Sequence, residues 1–342
     1  MVRAAHPPVG AGRAGARLPL LSARKAANTI SVSDGQSGDS LGWKPFVHPL
    51  GIAHSAAFAI APPLGLRAPP MARAIQPTLP LLPPREQARA LVADFAGRAG
   101  GGVFPHIHRA TVAQGLRARL DQPSLISQEQ SSLCGPAALV FNLATNDPVH
   151  YAQYVMDLYE KGSADIRRLH VKPGSDLRAY DPTGLIDPAD WIALASLRDS
   201  ENWFFDYQSV DDEFAGITLP SDMESWFKKI GYGKVINDTN LMSDKDEANI
   251  RAADRLYKDD YWVCLFINDN MLTAAKQDQG SMTASHWVVL TSPVTIAGGN
   301  ISFDVFTWGQ GHRQVPDPGR GSHPLTLAHF FDVYYGYVAA KY

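Results

Sequence analysis

"QEQSSLCGPAALVFNLA", residues 128 to 144, holds one of the chain's two cysteines and sets it against a glycine, a proline and an apolar run. Proline suits the first turn of a helix because the donor it lacks would be unpaired there anyway, and "AALVFNLA" continues with good helix formers. The stretch predicts a buried helix with Cys134 at its N-terminal mouth. A cysteine inside an apolar run is ordinarily a small core residue. At a helix start, however, unpaired backbone N–H groups and the positive dipole end favour the thiolate, the nucleophilic form.

Helix signals flank this stretch on both sides. Upstream, "REQARALVADFAGR" and "ATVAQGLRARL" repeat apolar residues at helical spacing and predict two helices separated by "GGGVFPHIH". His106 and His108 in that linker have no third ligand near them and read as ordinary loop histidines. Downstream, Asp147 before Pro148 and Asp187 before Pro188 read as caps followed by proline at the first helical position. Ser221 and Glu224 are spaced as a capping box, with Gly231 as a stop. The period then changes. "YWVCLFIND", "SHWVVLTSPV" and "NISFDVFTWG" are β-branched and aromatic runs bounded by turn residues and predict strands. "LAHFFDVYYGYVAAKY" predicts a short helix running into a last strand. Helices first and antiparallel strands afterwards indicate an α+β architecture, with two lobes meeting at a cleft.

Composition narrows the class. At 342 residues, 45% of them hydrophobic, the chain can bury a substantial core. Its net charge of −3 gives no basic excess for neutralising phosphates, which argues against a nucleic-acid partner. Cys134 and Cys264 alone form neither a disulfide framework nor a thiolate zinc site, and nothing demands a metal or organic cofactor. No apolar stretch reaches membrane-span length, and the N-terminus shows no secretion signal. Residues 1–85 carry 13 of the 25 prolines and only two acidic residues against nine Lys or Arg, leaving the remainder at about −10. They read as a disordered extension, followed by a helical lead-in over 86–122 and a folded domain over 123–342.

A nucleophile needs a base and donors for a developing oxyanion. Gln128, six residues before Cys134, can present its amide beside the Cys134 backbone N–H. His286 opens the strand "HWVVLT" after a polar loop and is the best placed of the eleven histidines to act as base. The imidazole in turn needs an acceptor to orient it. Asp304, on the strand returning through Gly298 and Gly299, is the first choice, and Gln310 is the alternative if the turn centres on those glycines. Cys264, mid-strand, reads as a packed core thiol, and Trp308 as shelter for the histidine or core filling.

Gln128, Cys134 opening a helix, His286 opening a strand and a hairpin return with "TWG" together resemble the papain-like cysteine peptidase superfamily over roughly residues 123–342. "CGPAA" is more similar to its bacterial branches, the double-glycine leader peptidases and papain-like effector toxins. The resemblance implies a two-lobed papain-like fold in which Cys134 attacks a carbonyl, His286 is base and then acid, and Gln128 steadies the oxyanion. Counting back from Trp308 as in that superfamily puts the orienting residue on Phe306, which cannot accept the hydrogen bond. The function so implied is a cysteine peptidase acting on a protein or peptide substrate. By the same analogy it is a secreted bacterial effector working in a target-cell cytoplasm, with a cognate immunity or inhibitor protein. Two other functions fit the same residues: a peptidoglycan amidase or endopeptidase, or a glutamine deamidase, using the same site, and a non-catalytic papain-like binding module.

Overall fold

Alternating faces of one antiparallel sheet organise the molecule. The structure is a computed structural model, and it describes residues 82–129, 131–201, 218–240, 245–277, 279, 284–307 and 312–342. All but the last four residues of the expected extension therefore lie outside the described residues.

The helical half comes first. Helices α1 (Pro84–Gly97) and α2 (Arg109–Asp121) occupy the two predicted segments and pack on each other. Val92, Phe95 and Leu116 are fully buried in that packing, each burial being worth about 1.5–3 kcal/mol. Helix α3 (Cys134–Asn146) begins at the cysteine, and α4 (Pro148–Lys161) follows after one residue. Asp147 caps α4 by accepting the His150 N–H, and Pro148 fills the first helical position. A two-stranded ribbon, β1 (Ala164–Ile166) with β2 (Leu169–Val171), leads to α5 (Ser175–Ala179). The second predicted cap, Asp187, accepts the Ala189 N–H at the start of α6 (Pro188–Asp190). That helix passes through a π-turn over Trp191–Ala195 into α7 (Ser196–Glu201).

Helix α8 (Pro220–Lys229) corrects one expectation. Ser221 lies inside it, because Pro220 takes the first helical position, and Asp222 rather than Glu224 accepts the Leu219 N–H. Gly231 ends it at φ +98° as expected.

The sheet runs in the order β3 (Lys234–Thr239), β10 (Tyr334–Lys341), β4 (Trp262–Ile267), β5 (His286–Leu290), β7 (Asn300–Phe306), β6 (Thr295–Ala297), and every pairing is antiparallel. Strands β8 (His312–Val315) and β9 (Leu325–Thr326) add to β7. Helix α9 (Glu247–Lys258) precedes β4, and α10 (Leu327–Asp332) precedes the last strand.

Cys264, Phe266, Trp287, Val289 and Phe306 face the helical half, where Phe141 of α3 stacks on Phe306 with ring centroids 3.9 Å apart. Val263, Leu265, Ile267, Val288, Leu290 and Val305 face the other way, onto Ile250 and Ala253 of α9 and Phe330 of α10. Among the described residues no helix is long and apolar enough to cross a membrane.

Strand β10 shifts register between Tyr334 and Tyr337, and Gly336 sits in that irregularity at φ +99°. A Cβ there would lie 2.2 Å from the Asp238 carbonyl oxygen and 2.8 Å from Thr239 Cα. Backbone atoms of a paired strand cannot move aside as a side chain can. Gly336→Ala is therefore expected to lower stability by about 2–3 kcal/mol. Urea unfolding of the two proteins measures it, and a midpoint unchanged in the variant contradicts the packing described.

Candidate active site

Cys134 is the first residue of α3 and is 7% exposed. The glycine that follows it has a steric reason. A Cβ on Gly135 would lie 2.2 Å from Thr218 Oγ1 and 2.4 Å from Thr218 Cβ, so only glycine lets Thr218 close over the helix start. Thr218 is itself tied to the sheet, its carbonyl accepting the Trp287 indole N–H at 2.9 Å. The helix mouth, Thr218 and the head of β5 thus form one packed unit.

Burial pushes the Cys134 thiol above its ordinary value, and this outweighs the opposing pull of the Trp287, Gly135 and Cys134 backbone N–H groups and of Arg198. The expected helix-end stabilisation of the thiolate is present but loses to desolvation. The sulfur rests beside the peptide N–H that follows His286. Arg198, buried on α7, is the cation within reach of it. Nothing in the sequence around Arg198 pointed to that role. Cys264 is fully buried in β4, as expected of a packed core thiol.

His286 opens β5 and is 4% exposed. Its Nε2 makes a hydrogen bond with Thr307 Oγ1 at 2.8 Å. Burial lowers the imidazole to about 4, opposed by the Asp269 carboxylate and assisted by the Arg313 guanidinium. It is neutral at physiological pH. Strand alternation places His286 with Val288 and Leu290, on the face opposite Trp287. Among the described residues no hydrogen bond joins the imidazole to Cys134. Cys134 packs on the Trp287 face and the imidazole turns to Thr307 on the other, so the expected facing of thiol and imidazole is not found: only the β5 backbone lies between them.

The structure does not bring Asp304 to His286. Strand β5 pairs with β7 at Val289 with Phe306 and Leu290 with Val305, and the Thr291 N–H donates to the Asp304 carbonyl. Asp304 therefore sits five residues along β5 from the histidine, roughly 17 Å at 3.4 Å per residue. Asp269, in the turn after β4, acts on the imidazole through its charge alone, while its carboxylate accepts the Ser285 hydroxyl at 3.0 Å. Thr307 and Asp269 are thus the missed neighbours of His286. Thr307 was signalled only by its place before Trp308 in "TWG", and Asp269 by a carboxylate just past the strand "YWVCLFIN". Gln310 and Trp308 lie outside the described residues.

Gln128 is 6% exposed, and among the described residues its side-chain amide has no hydrogen-bond partner. Its carbonyl accepts both the N–H and the hydroxyl of Ser131, which turns the loop toward α3. Among the described residues no three His, Cys, Asp or Glu side chains gather as metal ligands.

No protein-family model matches the chain, no curated protein matches it, and no solved structure matches its fold.

Proposed function

We propose that the chain is a cysteine hydrolase that cleaves a peptide or other amide bond through Cys134. The observation that carries this is the seat of the thiol: at the start of a buried helix, against the N–H that follows His286, at the end of the loop that carries Gln128. A packed core thiol needs none of these neighbours, as Cys264 shows.

The reaction begins from a protonated thiol and a neutral imidazole. The Sγ proton must pass to a base as sulfur attacks the carbonyl carbon; His286 is the candidate, and because its ring lies on the opposite face of β5 the transfer requires the head of that strand to turn over. The carbonyl π electrons move onto oxygen, and the Gln128 amide and the Cys134 backbone N–H stabilise the resulting oxyanion. The imidazolium then gives its proton to the leaving amine as the C–N bond breaks. Water hydrolyses the thioester, with the imidazole again as base. The Asp269 carboxylate favours the imidazolium through its charge, without the hydrogen bond expected from Asp304.

Iodoacetamide tests the seat of the thiol. Cys134 is expected to alkylate much faster than the fully buried Cys264, as the sequence implied. Because burial raises the Cys134 thiol, its rate should climb about tenfold per pH unit from pH 6 through 8. A rate that levels off below pH 7 identifies a preformed thiolate and overturns the neutral starting pair. Equal, slow labelling of both cysteines removes the hydrolase proposal.

A second reading, a binding module on the same scaffold, is favoured by one observation: the imidazole is bonded to Thr307 and not to sulfur. It requires the chain to turn over no ester or amide at Cys134, whatever the rate of alkylation.

A further inference from the structure

We infer that Asp190, clamped by Arg119, is the positioning residue for Gln128: its carboxylate anchors the loop that presents the oxyanion-binding amide. The inference rests on the hydrolase reading only for what Gln128 does, since the anchoring itself is a matter of geometry.

Asp190 ends α6 and is fully buried. Arg119 of α2 meets it as a fork, with Nε to Oδ1 at 2.6 Å and Nη2 to Oδ2 at 2.5 Å. Planar bidentate pairs of this kind fix orientation as well as supplying energy. The same Oδ2 accepts the backbone N–H of Ser127, the residue before Gln128, at 2.9 Å. One carboxylate thus ties two helices of the helical half to the loop that enters α3.

The surroundings leave Asp190 little freedom. Arg119 Nη1 also reaches Asp187 Oδ2 at 3.2 Å and the Gly115 carbonyl at 3.3 Å. A Cβ on Gly115 would lie 2.6 Å from Asp187 Oδ1, so α2 can approach only with glycine there. The charged and titratable groups facing the carboxylate are Arg119 from α2, Asp187 from the turn before α6 and Tyr151 from α4. Burial lifts Asp190 to about 6 against the pull of Arg119, which leaves the pair ionised at neutral pH.

The loop needs such an anchor. Glu129, next to Gln128, takes φ +50°, a conformation that non-glycine residues hold only where their surroundings enforce it. Ser127 Oγ donates to Glu129 Oε1 at 2.8 Å and accepts the Glu129 N–H at 3.1 Å, bonds that are short-range. They shape the turn without locating it. Location comes from Asp190, 63 residues away in sequence.

The test uses the full chain and p-nitrophenyl acetate, an activated ester small enough for a thiol that is 7% exposed. Asp190→Asn is expected to lower kcat about a hundredfold with KM and the iodoacetamide rate of Cys134 within twofold, because an oxyanion donor is misplaced and the nucleophile is not. Gln128→Ala should cost about as much, and the double variant no more than either single one. Hydrogen exchange supplies a readout independent of catalysis. Amides 127–131 should exchange at least about tenfold faster in Asp190→Asn, with α3 unchanged.

If Asp190→Asn does not fold, Arg119→Lys keeps a cation beside the carboxylate but loses the fork. Exchange of amides 127–131 should then rise severalfold, with kcat within tenfold of the parent. Losses that multiply in the double variant, or loop exchange unaltered in a folded variant, overturn the positioning role. A parent chain that never turns over the ester at Cys134 removes the hydrolase reading alone, and the exchange experiment still decides whether Asp190 holds the loop.

Discussion

Replacing Cys134 by alanine is expected to abolish turnover of p-nitrophenyl acetate and of peptide amides, by at least about 10⁴-fold, with little change in stability. Loss of a nucleophile removes the covalent route entirely, so what remains is the small acceleration from binding and oxyanion donors. The structural cost is modest because alanine fits where Cβ already sits and Cys134 is the first residue of its helix. One sulfur leaves a nearly buried position at the edge of the core, worth about 1 kcal/mol. Cys134→Ser separates chemistry from shape: it keeps a hydroxyl in nearly the same volume, but an alcohol is far harder to ionise than a thiol. It should be nearly as inactive as alanine. Urea midpoints for both variants, measured beside turnover, verify that the fold persists. A serine variant that stays fully active, or an alanine variant that keeps more than a tenth of the parent rate, removes Cys134 from the chemistry.

The elements of the fold were largely legible, because each is announced by local physics. Pro136, Pro148 and Pro188 mark helix starts whose first donors need no partner, whereas strand β3 and helix α9, which lie between "SWFKKIGYG" and "YWVCLFIND", were not read from the sequence. The misplaced cap at Ser221 shows the limit of spacing arguments. Pro220 already supplied the first helical residue, and Asp222 was as well placed as Glu224 to accept a donor. The partner of His286 was illegible for a different reason. A glycine turn at residues 298 and 299 does form, but it joins β6 to β7, with Ala297 opposite Asn300. Pro293 interrupts the chain between β5 and β6, so the turn does not carry the β5 register, and Asp304 comes to rest beside Thr291. Asp269 and Arg198 approach the site from other elements, and contacts of that kind leave no mark on periodicity. The thiol itself was placed correctly at the helix mouth. Its ionisation was not, because the helix end was legible while the depth of burial behind Thr218 was not.

That correction shapes the result expected for His286→Ala. Turnover should fall about 10³-fold, the contribution typical of a positioned general base. Iodoacetamide alkylation of Cys134 at pH 7 should stay within twofold of the parent. The two outcomes diverge because of the resting charges. Burial holds the imidazole at about 4, so at pH 7 it carries no proton to lend the sulfur, and burial also holds the Cys134 thiol protonated. Removing an uncharged ring takes away no electrostatic support from a thiolate that is not yet formed. It removes only the acceptor needed during attack on the carbonyl. In a site built on a thiolate and imidazolium pair the same substitution would raise the thiol's pKa and slow alkylation at neutral pH by ten to a hundredfold. Rates of turnover and alkylation, measured on one preparation of each protein, therefore separate the two modes of activation. Parallel loss of both establishes the ion pair in place of the neutral one. Unchanged turnover means that the imidazole never leaves Thr307, and that Cys134 has no base at the head of β5.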